Sequence, residues 1–488
     1  MNDTPKGPDA QHSYFQLPTL MYQVLAPTPV KQPSWLAFND DLAQQLQLPT
    51  QWRQTDDGLA LFAGNQLAPW CKPLALAYSG HQFGQLNPRL GDGRALLLAD
   101  VIAADGQRYD IQLKGSGPTP FSRRGDGRAA QGPVLREYLI SEWMHAVGVP
   151  TTRALAAVNS GEWVFREMAL PGAVLTRVAR SHLRIGSMQY ASIAGSPDDV
   201  TALIDYTLAR HYPAQLPSDN PALTLLTCVA KAQAALVARW MQLGFVHGVM
   251  NTDNMSLSGE TIDYGPCAFL DQYIPATKFS SIDSNGRYAY RNQPAIAQWN
   301  LARLAEAMLP QLDANEDQAI ALAMTVLNAF PDWYQQQLYQ GFAEKLGLRR
   351  KGQTPTEDIA AAQQLFVDET LAMMASLSLD FTAFFRRLAD TLDQDHSAWL
   401  ALSCDTATLA GWLTRWQALV NVSAAELRAV NPAFIPRNQH VESILQQALD
   451  GDLAPFHRFV AAAKTPFADA AEWMQIPAAA PYCTFCGT

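Results

Sequence analysis

Charge is scarce in this chain: Asp, Glu, Lys and Arg together make 16% of 488 residues, while 48% are hydrophobic. That balance excludes a disordered chain, and 12 Trp leave ample apolar surface for a large core. Cysteine is also sparse. Six in so long a chain do not make a disulfide framework, and Cys71, Cys228, Cys267 and Cys404 are scattered as ordinary thiols are. No run approaches about 18 uninterrupted apolar residues, so no membrane span is expected. The opening stretch MNDTPKGPDAQHSYF lacks a basic segment followed by an apolar one, so no signal peptide is expected and the cytoplasm is the default location. No internal repeat is present. The formal charge of −10 argues against general nucleic-acid binding, because a phosphate backbone demands a basic face.

What is present is a local reversal of that charge. From Lys114 to Arg184 one Lys and nine Arg face five acids (Asp126, Glu137, Glu142, Glu162, Glu167), a net of +5. A basic segment inside an acidic protein points to a confined anion site. The length implies roughly two to four structural units.

Residues 1–60 begin polar and Pro-rich and carry a short helix near 39–48, which reads as an extended arm lying on a domain. Residues 61–172 read as a β-rich block. Asp-Gly pairs at 92–93 and 105–106 mark hairpins, and three strands are expected near 82–90, 94–103 and 108–114. In the third, Tyr109, Ile111 and Leu113 alternate onto one face and leave Asp110, Gln112 and Lys114 on the other. A long Gly- and Arg-rich loop, residues 115–132, is of the kind that carries function. The following helix, LREYLISEWMHAVG, places Glu137 in its first turn, where the helix dipole alone favours a carboxylate. Two further strands are expected to join at Asn159-Ser160-Gly161. Arg177, Arg180 and Arg184 then recur at spacings of three and four, one side of a helix-like turn on which a phosphate could sit. Residues 173–430 read as a helical block with 3.6-residue apolar periods, and residues 431–488 as a tail ending in Cys483-x-x-Cys486.

The stretch HGVMNTDNMSLSGETIDYG, residues 247–265, concentrates metal-type and proton-accepting groups: His247, Asp253, Asn254 and Asp263. Its first part reads as a loop and ETIDYG as a short strand. A Gly-containing hairpin at 90–95, strand Lys114, helix Glu137, loop Asp253-Asn254 and Asp263-Tyr264-Gly265 follow the order of protein-kinase parts. An α+β, two-lobed, kinase-like fold is therefore expected, β-rich first and helical second. One departure decides the chemistry. Registering on Asn254 puts Val249 where kinases carry the Asp that takes the substrate proton, and valine cannot take a proton.

The segments YSGHQFGQLNPRLGDGRA, QLKGSGPTPFSRRGDGRA, PGAVLTRVARSHLRIG, HGVMNTDNMSLSGETIDYGPCAFLD, NPAFIPRNQHVE and CTFCGT resemble the selenoprotein O family (SelO, the YdiU-type proteins). The resemblance runs from about residue 20 to the end. It implies a protein adenylyltransferase that binds ATP flipped relative to kinases and transfers AMP to Ser, Thr or Tyr hydroxyls of proteins. It makes Asp253 the general base, and Asn254 and Asp263 the ligands of Mg²⁺ or Mn²⁺. Lys114 is implied as the phosphate-binding lysine with Glu137 as its partner, and Arg177 and Arg184 as clasps for buried phosphates. Gly91, Gly93, Arg94, Asp126 and Gly127, with Asp263, are implied as further nucleotide contacts. Cys483 and Cys486 are implied as a redox-sensitive pair, in a place where many eukaryotic members carry selenocysteine. Between loop and helix this chain has AAQGPVLREYL, where the family more often has a Ser-containing run, so Gly132-Pro133 bears on how the helix starts. Competing expectations are a non-catalytic nucleotide-binding pseudokinase, a thiol-redox protein centred on the terminal cysteines, and an ordinary protein kinase.

Overall fold

The computed structural model describes residues 7–477 and 482–484. Its strands are β1 (Tyr22–Val24), β2 (Ser34–Phe38), β3 (Leu74–Leu76), β4 (Gly80–Gln82), β5 (Gln85–Asn87), β6 (Ala95–Ile102), β7 (Arg108–Lys114), β8 (Ala129–Ala130), β9 (Arg153–Phe165), β10 (Ala169–Ala179), β11 (Phe245–Val246) and β12 (Ala268–Phe269). One antiparallel sheet runs in the order β1-β3-β6-β7-β10-β9-β2, with β8 added to β10. β4 pairs with β5 and β11 with β12 in small two-stranded units. Helices dominate from Ile185 onward, so the chain is mixed α/β, with a sheet region followed by a helical region.

Several local expectations change here. The first sixty residues are no arm: β1 and β2 form the two edges of the sheet. Ahead of them, the Tyr14 hydroxyl donates to Asp110 at 2.6 Å, fixing the segment to β7. The turn at Asp105-Gly106 does join β6 to β7, with Gly106 at φ +75°, but Asp92-Gly93 makes no hairpin and leads from a loop into β6. β9 runs straight through Asn159-Ser160-Gly161, where a register shift against β10 absorbs two extra residues, and the chain reverses only after Phe165. Arg177 lies on β10 and Arg184 caps the next helix, Ile185–Ala194, so the three arginines share no helical face.

Both faces of the sheet are covered. Leu98, Val101, Ile111, Leu113, Val158 and Val174 pack beneath Leu42, Leu61 and Phe62 of the helices Asp40–Gln45 and Asp56–Ala63. The opposite face carries the helix Gln131–Ala146, whose Leu135, Leu139 and Trp143 are fully buried in a core continuous with the helical region. Each such side chain contributes roughly 2–3 kcal/mol of burial free energy, enough to hold this helix against the sheet. It begins at Gln131, so Gly132 and Pro133 occupy its first turn, where a proline's missing N–H costs nothing. Glu137 therefore sits in the second turn, and dipole capping does not explain it.

The helix Pro221–Leu243 is capped by the Asn220 side chain, which accepts from the Leu223 N–H, and ends at left-handed Gly244. Among the described residues it alone is long and apolar enough to cross a membrane, with a mean hydropathy of 1.5 over its most apolar window, 56% of which is buried in the fold. Lys231, Gln233 and Arg239 interrupt its apolar run, and the helix packs in the core.

Candidate active site

The polar face of β7 is not solvated. Asp110 and Gln112 are fully buried, and each residue on that face has charged or polar partners. Lys114 Nζ donates to Glu137 Oε2 at 2.6 Å and to Asp263 Oδ1 at 2.8 Å, tying the sheet to the Gln131–Ala146 helix and to the segment after the Asn251–Asn254 loop. Arg177, across the ladder from Gln112, donates to Glu137 Oε1 at 3.3 Å and to Gln112 Oε1 at 2.7 Å. Gln112 in turn donates to Asp92 Oδ2 at 3.0 Å, and Asp92 lies 3.6 Å from Arg184. The Arg184 guanidinium covers the Tyr78 ring at 4.3 Å and donates to the Asp253 carbonyl at 3.1 Å. A continuous network therefore runs from Glu137 through the cations to the backbone of Asp253.

That network forms one wall of a cavity of about 800 Å³. Gly91, Gly93, Arg94, Lys114, Asp126, Gly127, Arg177, Arg184, Asp253, Asn254 and Asp263 all line it, as does Val249. Glu137 stands one layer behind, on an adjoining cavity of about 350 Å³ that shares Arg94, Lys114 and Asp263. Gly91 and Gly93 pass against Phe121, where a Cβ on Gly91 would come within 2.3 Å of the ring. Asp126 is held by both Arg166 nitrogens, at 2.9 and 3.1 Å, on the outer side of the loop.

Asp253 is buried, and its Oδ1 has no hydrogen-bond partner. Burial pushes its carboxyl up to about 6, only partly opposed by the backbone and by Arg184. A carboxylate poised there can take a proton near neutral pH. Asp263 is 28% exposed at its side chain and sits at a left-handed φ of +67°. Dehydration disfavours its ionisation, but the charges of Lys114, Arg177 and Arg94 more than offset that and hold its pKa below the usual carboxylate range. Glu137 behaves likewise: burial raises it, and Lys114 and Arg177 bring it below its ordinary value. Asp263 belongs to no strand, contrary to the reading of ETIDYG.

His247 does not reach the cavity. One ring nitrogen meets the Ile262 carbonyl at 2.9 Å and the other accepts from the Val249 N–H at 3.4 Å, so it tethers the residue before Asp263. Arg180 turns away to Gln107 and Glu260. Asn254 commits its amide nitrogen to the Val249 carbonyl at 3.1 Å, which leaves its oxygen as the free donor to a cation. No cluster of three or more His, Cys, Asp or Glu that could hold a metal exists among the described residues. Asn254 and Asp263 could offer oxygens to a divalent cation only if phosphates and water filled its remaining positions. Cys483 is exposed and lines the smaller cavity; Cys486 lies outside the described residues.

Sequence reasoning passed over Gln112, Asp92, Tyr78 and the β4–β5 hairpin. The hairpin grips the loop: the His81 N–H donates to Thr252 Oγ1 at 2.7 Å and the Phe83 N–H to Asn251 Oδ1 at 3.1 Å. Gln112 was legible, since it shares the β7 face with Lys114; the hairpin was not, because its partners lie some 170 positions downstream.

The sequence profile of the family described as "Protein adenylyltransferase SelO" matches residues 9–464. The chain belongs to the SelO family. Proteins called "Protein nucleotidyltransferase YdiU" from Rhizobium johnstonii and Bradyrhizobium diazoefficiens are each 48% identical to it, over 98% of this chain and 97% and 99% of theirs. Another from Methylorubrum extorquens is 50% identical over 98% of both chains. The membership inferred from the six segments is thereby shown for this SelO protein.

Proposed function

We propose that the protein transfers AMP from ATP to Ser, Thr or Tyr hydroxyls of other proteins, on a kinase-like plan with the nucleotide flipped. The observation that carries this reading is Asp253: a buried carboxyl, unpartnered at Oδ1, opening on the same cavity as Lys114, Arg177 and Arg184, while Val249 occupies the place of a kinase base. In the proposed step the acceptor oxygen bonds to the α-phosphorus, the bond from that phosphorus to the bridging oxygen breaks, and pyrophosphate leaves. The hydroxyl proton passes to the Asp253 carboxylate. Lys114, Arg177 and Arg184 hold the phosphates and offset charge growing on the leaving group. Glu137 orients Lys114 and Arg177. A divalent cation on Asn254 and Asp263 would supply further charge neutralisation on the phosphates.

The names of the relatives weigh against a non-catalytic pseudokinase. Incubation with ATP labelled at the α-phosphate tests the reading: the wild type should label protein, and Asp263→Ala should abolish that labelling. Retained labelling in the variant would sink the assignment of Asp263. Intact mass then separates adenylylation from phosphorylation, since an AMP adduct and a phosphate differ.

A further inference from the structure

Where the cavity opens to solvent, its rim carries cations that the chain itself does not neutralise. Arg89, Arg123 and Arg124 are exposed, and among the described residues none has a carboxylate oxygen within 4.0 Å. Their neighbours differ: Arg128 pairs with Glu162 at 3.2 Å and Arg166 with Asp126 at 2.9 Å. Arg123 lines the cavity together with Asp253, and Arg89 lies 5.7 Å from the centre of the Phe121 ring, which lines it too. Arg123 and Arg124 are successive non-glycine residues at left-handed φ, +49° and +76°. Such a conformation is strained for residues with a Cβ and persists only where surrounding structure imposes it. Apolar groups share the lining with Arg123. Ile282, 58% exposed, lines the cavity beside half-buried Phe83, and Leu86 projects from β5 at 46% exposure.

A protein of net charge −10 that sets unpaired Arg123 on the cavity lining, Arg124 next to it in the chain and Arg89 over the lining ring of Phe121 has a surface matched to an anionic visitor. The nucleotide's own phosphates have Lys114, Arg177 and Arg184 deeper in the same cavity, so the rim is left for the other substrate. We propose that this rim selects the acceptor protein: it docks an extended segment whose modified hydroxyl is flanked by Asp or Glu, the acids against Arg89, Arg123 and Arg124 and an apolar neighbour against Phe83 and Ile282. This deepens the nucleotidyltransferase reading and rests on it.

Two synthetic peptides of equal length test it, each with one Ser, one flanked by Glu and apolar residues and the other by Gln and the same apolar residues. Fluorescence anisotropy with the full chain reads docking, and label transfer from α-labelled ATP reads chemistry. The Glu-flanked peptide should bind about tenfold more tightly at low salt, and the preference should shrink as salt rises. Arg89→Glu combined with Arg124→Glu should erase or invert the preference while leaving the KM for ATP unchanged. Equal binding of both peptides by the wild type, a preference that survives in the variant, or a KM for ATP that moves with it would each overturn the proposal. Equally strong competition by poly-U RNA would assign the rim to nucleic acid and overturn it as well. Charge-dependent binding without transfer would unseat the nucleotidyltransferase reading alone; transfer indifferent to flanking charge would unseat the rim alone.

Discussion

Asp253 is held in a position that favours chemistry over stability. Its carboxyl, pushed up to about 6 from an ordinary 3.8, is harder to ionise in the folded chain than in the unfolded one. The folded state therefore binds the extra proton between those values, and stability falls as pH rises through that window. The shift corresponds to on the order of 3 kcal/mol that the ionised form withholds from folding at neutral pH. Asp253→Asn, measured metal-free in EDTA, should accordingly melt higher than the wild type at pH 8, with the gain shrinking toward pH 5, while label transfer is lost. A variant that melts lower at both pH values would show that the carboxylate is not strained. The loss of a proton acceptor at Val249 was legible from register alone, and so was the nearness of Asp253 to Asn254. The isolation of Oδ1 was not, because it depends on Gly80 and Leu90, which close over it from a distant part of the chain.

At the scale of elements, the β4–β5 hairpin sets the geometry of the loop that carries Asp253. Gly80 approaches so closely that an added Cβ would stand 2.3 Å from Asp253 Oδ1 and 2.5 Å from Leu90 Cδ1. Gly80→Ala must move one of them. The expected result is a fall in kcat of about tenfold to a hundredfold, since small displacements of a reacting group are costly, with ATP binding unaffected. Isothermal titration beside steady-state transfer rates separates the two. β6, β7 and the Asp105-Gly106 turn were readable because alternation and turn chemistry are local signals. The reversal after Phe165 was not, because the β9–β10 register shift is settled by tertiary pairing; the start of the Glu137 helix was misplaced although proline in a first turn is itself a local start signal. Arg177 and Arg184 were read as spaced cations on one helical face; a strand and a helix cap bring them instead to one wall of the cavity.

Across the whole molecule, the described part of the C-terminal tail reaches back to the segment that follows Asp263. The Thr484 N–H donates to the Phe279 carbonyl at 2.8 Å, its carbonyl accepts from Ser281 at 3.0 Å, and its hydroxyl donates to the Pro266 carbonyl at 2.7 Å. The Tyr482 ring packs against Phe279, and its hydroxyl accepts from Arg136 at 2.9 Å. Deleting residues 482–488 should leave nucleotide binding intact and speed tryptic cleavage after Lys278 by about tenfold, because local opening then has fewer bonds to break. A deletion that abolished nucleotide binding would favour the thiol-centred reading. The helix Pro221–Leu243 has a consequence of another kind, in the order of synthesis. Its apolar face is completed partly by the helix Glu316–Lys345, packed against it in the finished core and some seventy residues later in the chain. At about 5–20 residues per second, a ribosome leaves that face without this partner for several seconds. During that interval the emerging chain exposes an apolar face that the finished core covers, a window in which it is open to aggregation.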